Sequence, residues 1–239
     1  MSASAGTVRQ SSVGSTGVTN IAQSGTYTAG SSYLAIALGP SGTTWTVAST
    51  NSGSFGAPKA GITTIGGGEV GVWTLDGITG GADSITATPN GGSSTAFIGL
   101  AVVEILGTGG YDGVGTTPVN LQTSGTTRTG TNAAPSTTSG LVIGFLYNDT
   151  QNNSGSVDTG NSYSALTGSG LTAGQFMDFS SGNTFCCLEG KNYAINTPLP
   201  ATFITVVTGS TTGGVTIIFK DAGGPVADGS YSFGDDVYM

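Results

Sequence analysis

Phe97-Ile-Gly-Leu-Ala-Val-Val-Glu-Ile-Leu106 is the most apolar run in the chain. It is too short for a membrane helix, which needs about 20 apolar residues, and it is rich in β-branched side chains. Gly91-Gly92-Ser93-Ser94 precedes it and Gly107 follows it. A short unbroken apolar run between turn formers reads as a β-strand covered on both faces, hence a central one. The same signature recurs outward from it. Tyr33–Leu38 ends at Gly39-Pro40, and Thr43–Thr50 alternates with Trp45 and Val47 on one face. In Glu69–Leu75, Val70, Val72 and Thr74 lie opposite Trp73 and Leu75. Asp83–Thr88 follows Gly80-Gly81, and after a long polar connection over 107–139, with one short strand at Val119–Gln122, Leu141–Tyr147 resumes the pattern. Shorter segments at Ser162–Leu166, Gln175–Phe179, Phe185–Leu188 and Asn192–Ile195 lead to Ala201–Val207 and Val215–Lys220. No stretch has the 3.6-residue period of an amphipathic helix, so helix should be nearly absent.

Composition agrees with this. The 239 residues include 43 Gly, 38 Thr and 28 Ser, nearly half the chain, yet 36% are hydrophobic. That apolar content, gathered into short runs, separates the chain from disordered sequences of similar Gly and Ser content. Only 8% of residues are charged, with five Lys and Arg against thirteen Asp and Glu. Five scattered cations supply no basic stripe for nucleic acid. There is no His, so imidazole is available neither as a general base nor as a metal ligand. The two cysteines, Cys186 and Cys187, are adjacent and cannot staple distant strands. The first thirty residues lack the basic and apolar regions of a secretory leader. The chain is therefore expected to be made in the cytoplasm without entering a membrane. Two matches to the glycosylation pattern, at Asn148 and Asn152, are then chance.

The strand order recurs along the chain. Ser32–Leu38 aligns with Gly140–Leu146, Ala82–Thr88 with Ala201–Val207, and Phe97–Ile105 loosely with the run ending at Phe219. Two architectures satisfy this: one sandwich built from interleaved Greek keys, or two small sandwiches in tandem. The single sandwich is favoured, because each half shows only four or five convincing strands, few for burying two faces. The expected organisation is an N-terminal arm over 1–24, a β-sandwich over 25–220 with similar halves at about 25–107 and 140–220, and a C-terminal tail over 221–239. The fold class is all-β, a jelly-roll-like sandwich of two antiparallel sheets with almost no helix.

Several of these residues carry a resemblance: Tyr33–Leu38, Trp45, the Val70-Gly-Val-Trp73 strand followed by Gly80-Gly-Ala82, and Ala101-Val-Val-Glu-Ile-Leu-Gly107. In that order they resemble a jelly-roll module common in tailed-phage virion proteins, of decoration or fibre type, and in some bacterial surface proteins. The resemblance covers roughly 25–220. It departs from the module at Ile105-Leu106, where an aromatic-small pair is usual. Its motifs are core positions, so it implies a fold more than a role.

No arrangement of catalytic type stands out. Asp235-Asp236 is the one adjacent acid pair and sits in the tail, where two carboxylates repel each other in solvent. Glu69, Asp76 and Asp83 flank one strand pair. Glu104 falls inside the most apolar strand and is expected at an edge or on a wet face rather than as an acid of raised pKa. The many Ser and Thr have no His partner, and Gly66-Gly67-Gly68 lacks the Gly-Lys-Ser/Thr ending of a phosphate loop. The oxygen-rich segment from Asn148 to Asp158 has no EF-hand spacing and reads as a solvated loop. Trp73 reads as a core tryptophan, with a sugar-stacking platform as its competitor.

The sequence therefore points to a non-enzymatic structural protein of a phage virion without cofactor or metal, most simply a capsid decoration, cement or head-surface protein. Its expected partners are copies of itself and other virion proteins, a major capsid or tail protein, with neither nucleic acid nor membrane among them. The alternative is a carbohydrate-binding adhesin or tail-fibre receptor-binding module taking a host-surface glycan. The assembly element is expected in the tail, where Tyr231, Phe233, Val237 and Tyr238 recur among Gly, Ser and Asp. Tyr231 and Phe233 would share one face of a strand added to a neighbour's sheet edge.

Overall fold

The computed structural model describes residues 1–13, 19–40, 42–63, 68–90, 98–121, 127–130, 134–148, 155–157, 162–166, 175–176, 185–194, 201–205 and 211–223. Among them there is no helix. The first half holds β1 (Ser4–Val13), β2 (Ile21–Tyr27), β3 (Ser32–Pro40), β4 (Thr44–Ser49), β5 (Gly53–Ser54), β6 (Ala60–Thr63), β7 (Gly68–Leu75), β8 (Gly81–Asn90) and β9 (Ile98–Leu106). The second holds β10 (Thr108–Leu121), β11 (Thr127–Gly130), β12 (Gly140–Asn148), β13 (Gly155–Val157), β14 (Ser164–Ala165), β15 (Gln175–Phe176), β16 (Phe185–Tyr193), β17 (Ala201–Thr205) and β18 (Thr211–Asp221).

The all-β antiparallel sandwich expected from the sequence is present, but it has four sheets rather than two. In the first half, β1-β9-β3-β7-β6 faces β2-β8-β4-β5. In the second, β10-β18-β12-β16-β14 is accompanied by β11-β17-β13, with β15 also pairing β16. The wiring repeats strand for strand: β1, β9, β3 and β7 correspond to β10, β18, β12 and β16, and β2, β8 and β4 to β11, β17 and β13. Each half is a jelly roll whose chain passes back and forth between two sheets. The three sequence alignments noted above match β3 with β12, β8 with β17 and β9 with β18, all equivalent positions.

The favoured single sandwich is thereby corrected, because the missing strands were the poorly marked ones. Residues 4–13, expected within an N-terminal arm, form β1, which pairs β9 from Ser4 opposite Leu106 to Val13 opposite Ile98 with a register shift between Ala5 and Val8. The connection expected over 107–139 contains β10, which pairs β18 from Thr108 to Leu121 with register shifts at three places. Its Gly109, Gly110, Gly113, Gly115 and Pro118 hide it, since strands are normally poor in both residue types. Pro118 is tolerated because β10 lies at a sheet edge, at one of the register shifts.

Alternation sends each inner strand's side chains into two different cores. From β3, Tyr33, Ala35 and Ala37 face β4 and β8, where they meet Val47, Ile85 and Ala87. Leu34, Ile36 and Leu38 face the other way, with Val70, Val72, Val103 and Ile105 beside them, and meet Leu141, Ile143, Phe145, Val215, Ile217 and Phe219 of the second half. The two inner sheets thus pack on each other and their shared core joins the jelly rolls. This explains why β9 is buried along nearly its whole length.

Candidate functional site

The acidic side chains serve the turns. Asp83 is buried on β8 and accepts hydrogen bonds from Ser49 Oγ (2.5 Å), Thr50 Oγ1 (2.9 Å), Tyr33 Oη (3.0 Å) and the Asn51 amide (3.0 Å). Burial alone would raise its pKa, but these donors together outweigh it and hold the carboxyl below the ordinary aspartate value. The Tyr33 phenol is pushed far up, first by burial and then by its bond to Asp83. Glu104 is neither at an edge nor on a wet face: β9 is central, and Glu104 is 5% exposed. It accepts from the Thr28 amide (2.6 Å) and Ser31 Oγ (3.3 Å), fastening the β2–β3 connection. Asp112 accepts from the Ser136 amide (2.7 Å) and the Ser136 hydroxyl. Each of these carboxylates replaces water at otherwise unpaired turn donors. Among the described residues no three His, Cys, Asp or Glu side chains converge.

Polar contacts fasten the seam between the jelly rolls. Asp76, at the end of β7, accepts from Ser32 Oγ (2.7 Å) and, through both oxygens, from the Tyr111 amide of β10 (3.1 Å each). The Lys59 ammonium stands 5.0 Å from the Tyr111 ring centroid, a cation–π contact across the seam. At the opposite end of the chain's course, the Ala3 amide donates to Asp221 Oδ1 (2.6 Å) and Asn192 Nδ2 donates to the Ala3 carbonyl (2.6 Å). Ala3 is fully buried, so the first residues of the chain are fixed to the second jelly roll.

The first jelly roll contains a partly open cleft of about 320 Å³ beside the β6–β7 edge. Thr43 and Trp45 border it at the start of β4, and Gly61 of β6 and Glu69, Gly71 and Trp73 of β7 complete that part of the wall. Gly61 and Gly71 are cross-strand partners. The indoles lie where glycines leave room: a Cβ at Gly71 would collide with the six-membered ring of Trp73, and one at Gly39 would sit 2.6 Å from Trp45 Cζ2. Trp73 is 2% exposed and belongs to the core, as its alternation implied. Nε1 of Trp45, Nε1 of Trp73 and Oγ1 of Thr43 are buried and have no hydrogen-bond partner among the described residues. Glu69 Oε1 accepts from the Gly42 amide (3.3 Å).

Sequence reading noticed each tryptophan separately but missed the cleft, because Trp45 and Trp73 lie on different sheets. The available signal was that the chain has only two tryptophans, with Glu69 and Gly71 on the same strand face as Trp73. The expected assembly residues Tyr231, Phe233, Val237 and Tyr238, and also Asp235-Asp236, Asp149 and Asp158, lie outside the described residues. Comparison with protein-family models gives no match, and comparison with curated proteins gives none.

Proposed function

We propose that this chain is a non-enzymatic structural protein of a phage virion, a capsid decoration, cement or head-surface component. The observation that supports it most is the pair of jelly rolls that share the order of their main strands and are joined through a shared core. Jelly rolls recur in viral shells, and two of them held by one continuous core make a stiff building block. The chemistry of the turns is consistent with a structural role: Asp76, Asp83, Glu104, Asp112 and Asp221 all receive backbone amides. The abundant Ser, Thr and Gly and the low charge remove a usual barrier to close association between subunits.

Assembly is assigned to the C-terminal tail, whose Tyr231, Phe233, Val237 and Tyr238 supply apolar area. The test compares the full chain with a version ending at residue 223, by sedimentation velocity and by co-sedimentation with phage heads lacking decoration. The full chain is expected to self-associate or bind the heads. The truncated chain should keep its fold, read by circular dichroism, and lose that association. A full chain that stays monomeric and leaves the heads bare, or a truncation that assembles equally well, overturns the proposal.

A further inference from the structure

We infer that the outer edge of β6, with the cleft beside it, receives the C-terminal tail of a second copy of this chain as an added antiparallel strand, with Phe233 opposite Gly61. The inference rests on the assignment of assembly to the tail and names the surface that accepts it.

β6 is the last strand of its sheet. It pairs β7 on one side, and among the described residues no strand pairs the other. Such an edge offers backbone groups to an incoming strand. This edge also has a gap in the face that looks toward β4, where Gly61 pairs Gly71. The Trp73 ring covers Gly71, whereas a Cβ built at the exposed Gly61 meets only the Val70 carbonyl oxygen, at 3.9 Å. The space over Gly61 belongs to the cleft of about 320 Å³, which Trp45, Pro58 and Val70 also border. In an added strand the residue opposite Gly61 would carry its Cβ about 5 Å away on the same face. An aromatic ring there covers the glycine, a known way of completing an edge strand.

Charge selects the direction of the added strand. In an extended tail, Tyr231, Phe233 and Asp235 share one face. With Phe233 opposite Gly61, an antiparallel tail sets Asp235 opposite Lys59, an exposed cation, and opposite charges across a strand pair attract. A parallel tail sets Asp235 opposite Thr63 instead, which is the partner of Glu69.

Direction in turn selects the source. The Ala222 amide donates to the Gly107 carbonyl (3.0 Å). The tail therefore departs from the end of the inner sheet where β9 and β7 finish and β6 begins. Passing directly along β6 from there, a chain's own tail would run parallel to it, while every strand pair in this sheet is antiparallel. A second copy's tail is free to enter from the other end.

Two full-length variants separate acceptor from donor. Gly61→Leu fills the space over Gly61 and leaves the tail intact, and Phe233→Asp removes the anchor and leaves the edge intact. By sedimentation velocity the unaltered chain should self-associate. Each variant alone should do so about tenfold more weakly or worse, with an unchanged melting temperature. An equimolar mixture of the two should regain association, since one supplies the edge and the other the tail. Lys59→Glu and Asp235→Lys should each weaken association about threefold, and the two together should restore it. The inference is overturned if Gly61→Leu associates like the unaltered chain while Phe233→Asp does not, which leaves the tail as the assembly element on another surface. It is equally overturned if the mixture associates no better than its components, or if the paired charge reversal restores nothing. If Phe233→Asp also associates like the unaltered chain, the assignment of assembly to the tail falls with it. An unaltered chain that stays monomeric overturns the inference too, and co-sedimentation with undecorated heads then decides the wider reading separately.

Discussion

Asp83 shows how a buried carboxylate becomes part of the framework. Its oxygens are surrounded by donors from the end of β4, the turn after it and Tyr33 of the facing sheet. Because its folded pKa lies below the unfolded value of 3.8, the stability it contributes is fully present above that pH. Acidification below about pH 4, through the folded pKa, removes it as the carboxylate is protonated. Asp83→Asn should therefore be less stable at neutral pH and should lose part of the wild-type fall in stability on going from about pH 4 to pH 2. Urea unfolding across that range measures the difference. Parallel curves for the two proteins would mean that Asp83 is not held in its charged form by this network.

At the scale of elements, the decisive contacts involve the least conspicuous strands. β1 carries only moderate apolar content, but it closes one edge of the inner sheet and sends Val8 into the shared core. Its beginning is tied down by the Ala3 amide on Asp221, just past the end of β18. Removing that acceptor by Asp221→Ala leaves the amide of a fully buried residue unpaired, which costs about 1–3 kcal/mol. Hydrogen exchange should then accelerate over residues 1–13 ahead of the rest of the sheet. Unchanged protection of that segment would show that β1 is held by its pairing with β9 alone. β10 makes the complementary point, since a strand interrupted by glycines is recognisable only through its partner β18.

The whole molecule should behave as one cooperative unit. Leu34, Ile36, Val72 and Val103 of the first jelly roll and Ile143, Phe145, Ile217 and Phe219 of the second fill the same core, so neither half can unfold without exposing the inner face of the other. Phe145, with no exposed surface, is the clearest probe. Phe145→Ala should cost about 3–5 kcal/mol and shift a single calorimetric transition whose van't Hoff and calorimetric enthalpies agree. Two separated transitions, only one of them moved by the substitution, would indicate independent domains.

The sequence by itself determined the class of the fold, because class follows from local patterning. Alternation at Glu69–Leu75 assigns faces, and the unbroken run at Ile98–Leu106 could only be a strand covered on both sides. It also determined the repeat, since core positions recur in the same order in both halves. Only the tertiary structure decided how many sandwiches there are, because the cover on the second face of the inner strands comes from the other half, and periodicity cannot say which element supplies a cover. It likewise decided the role of Glu104, whose surroundings of apolar neighbours in sequence conceal two donors from the distant β2–β3 connection. The cleft was legible only as its parts, a tryptophan on each of two sheets and glycines that yield space to the rings. Bringing β4 over the β6–β7 edge is a long-range event, and it is what places the core residue Trp73 and the half-buried Trp45 around one cleft.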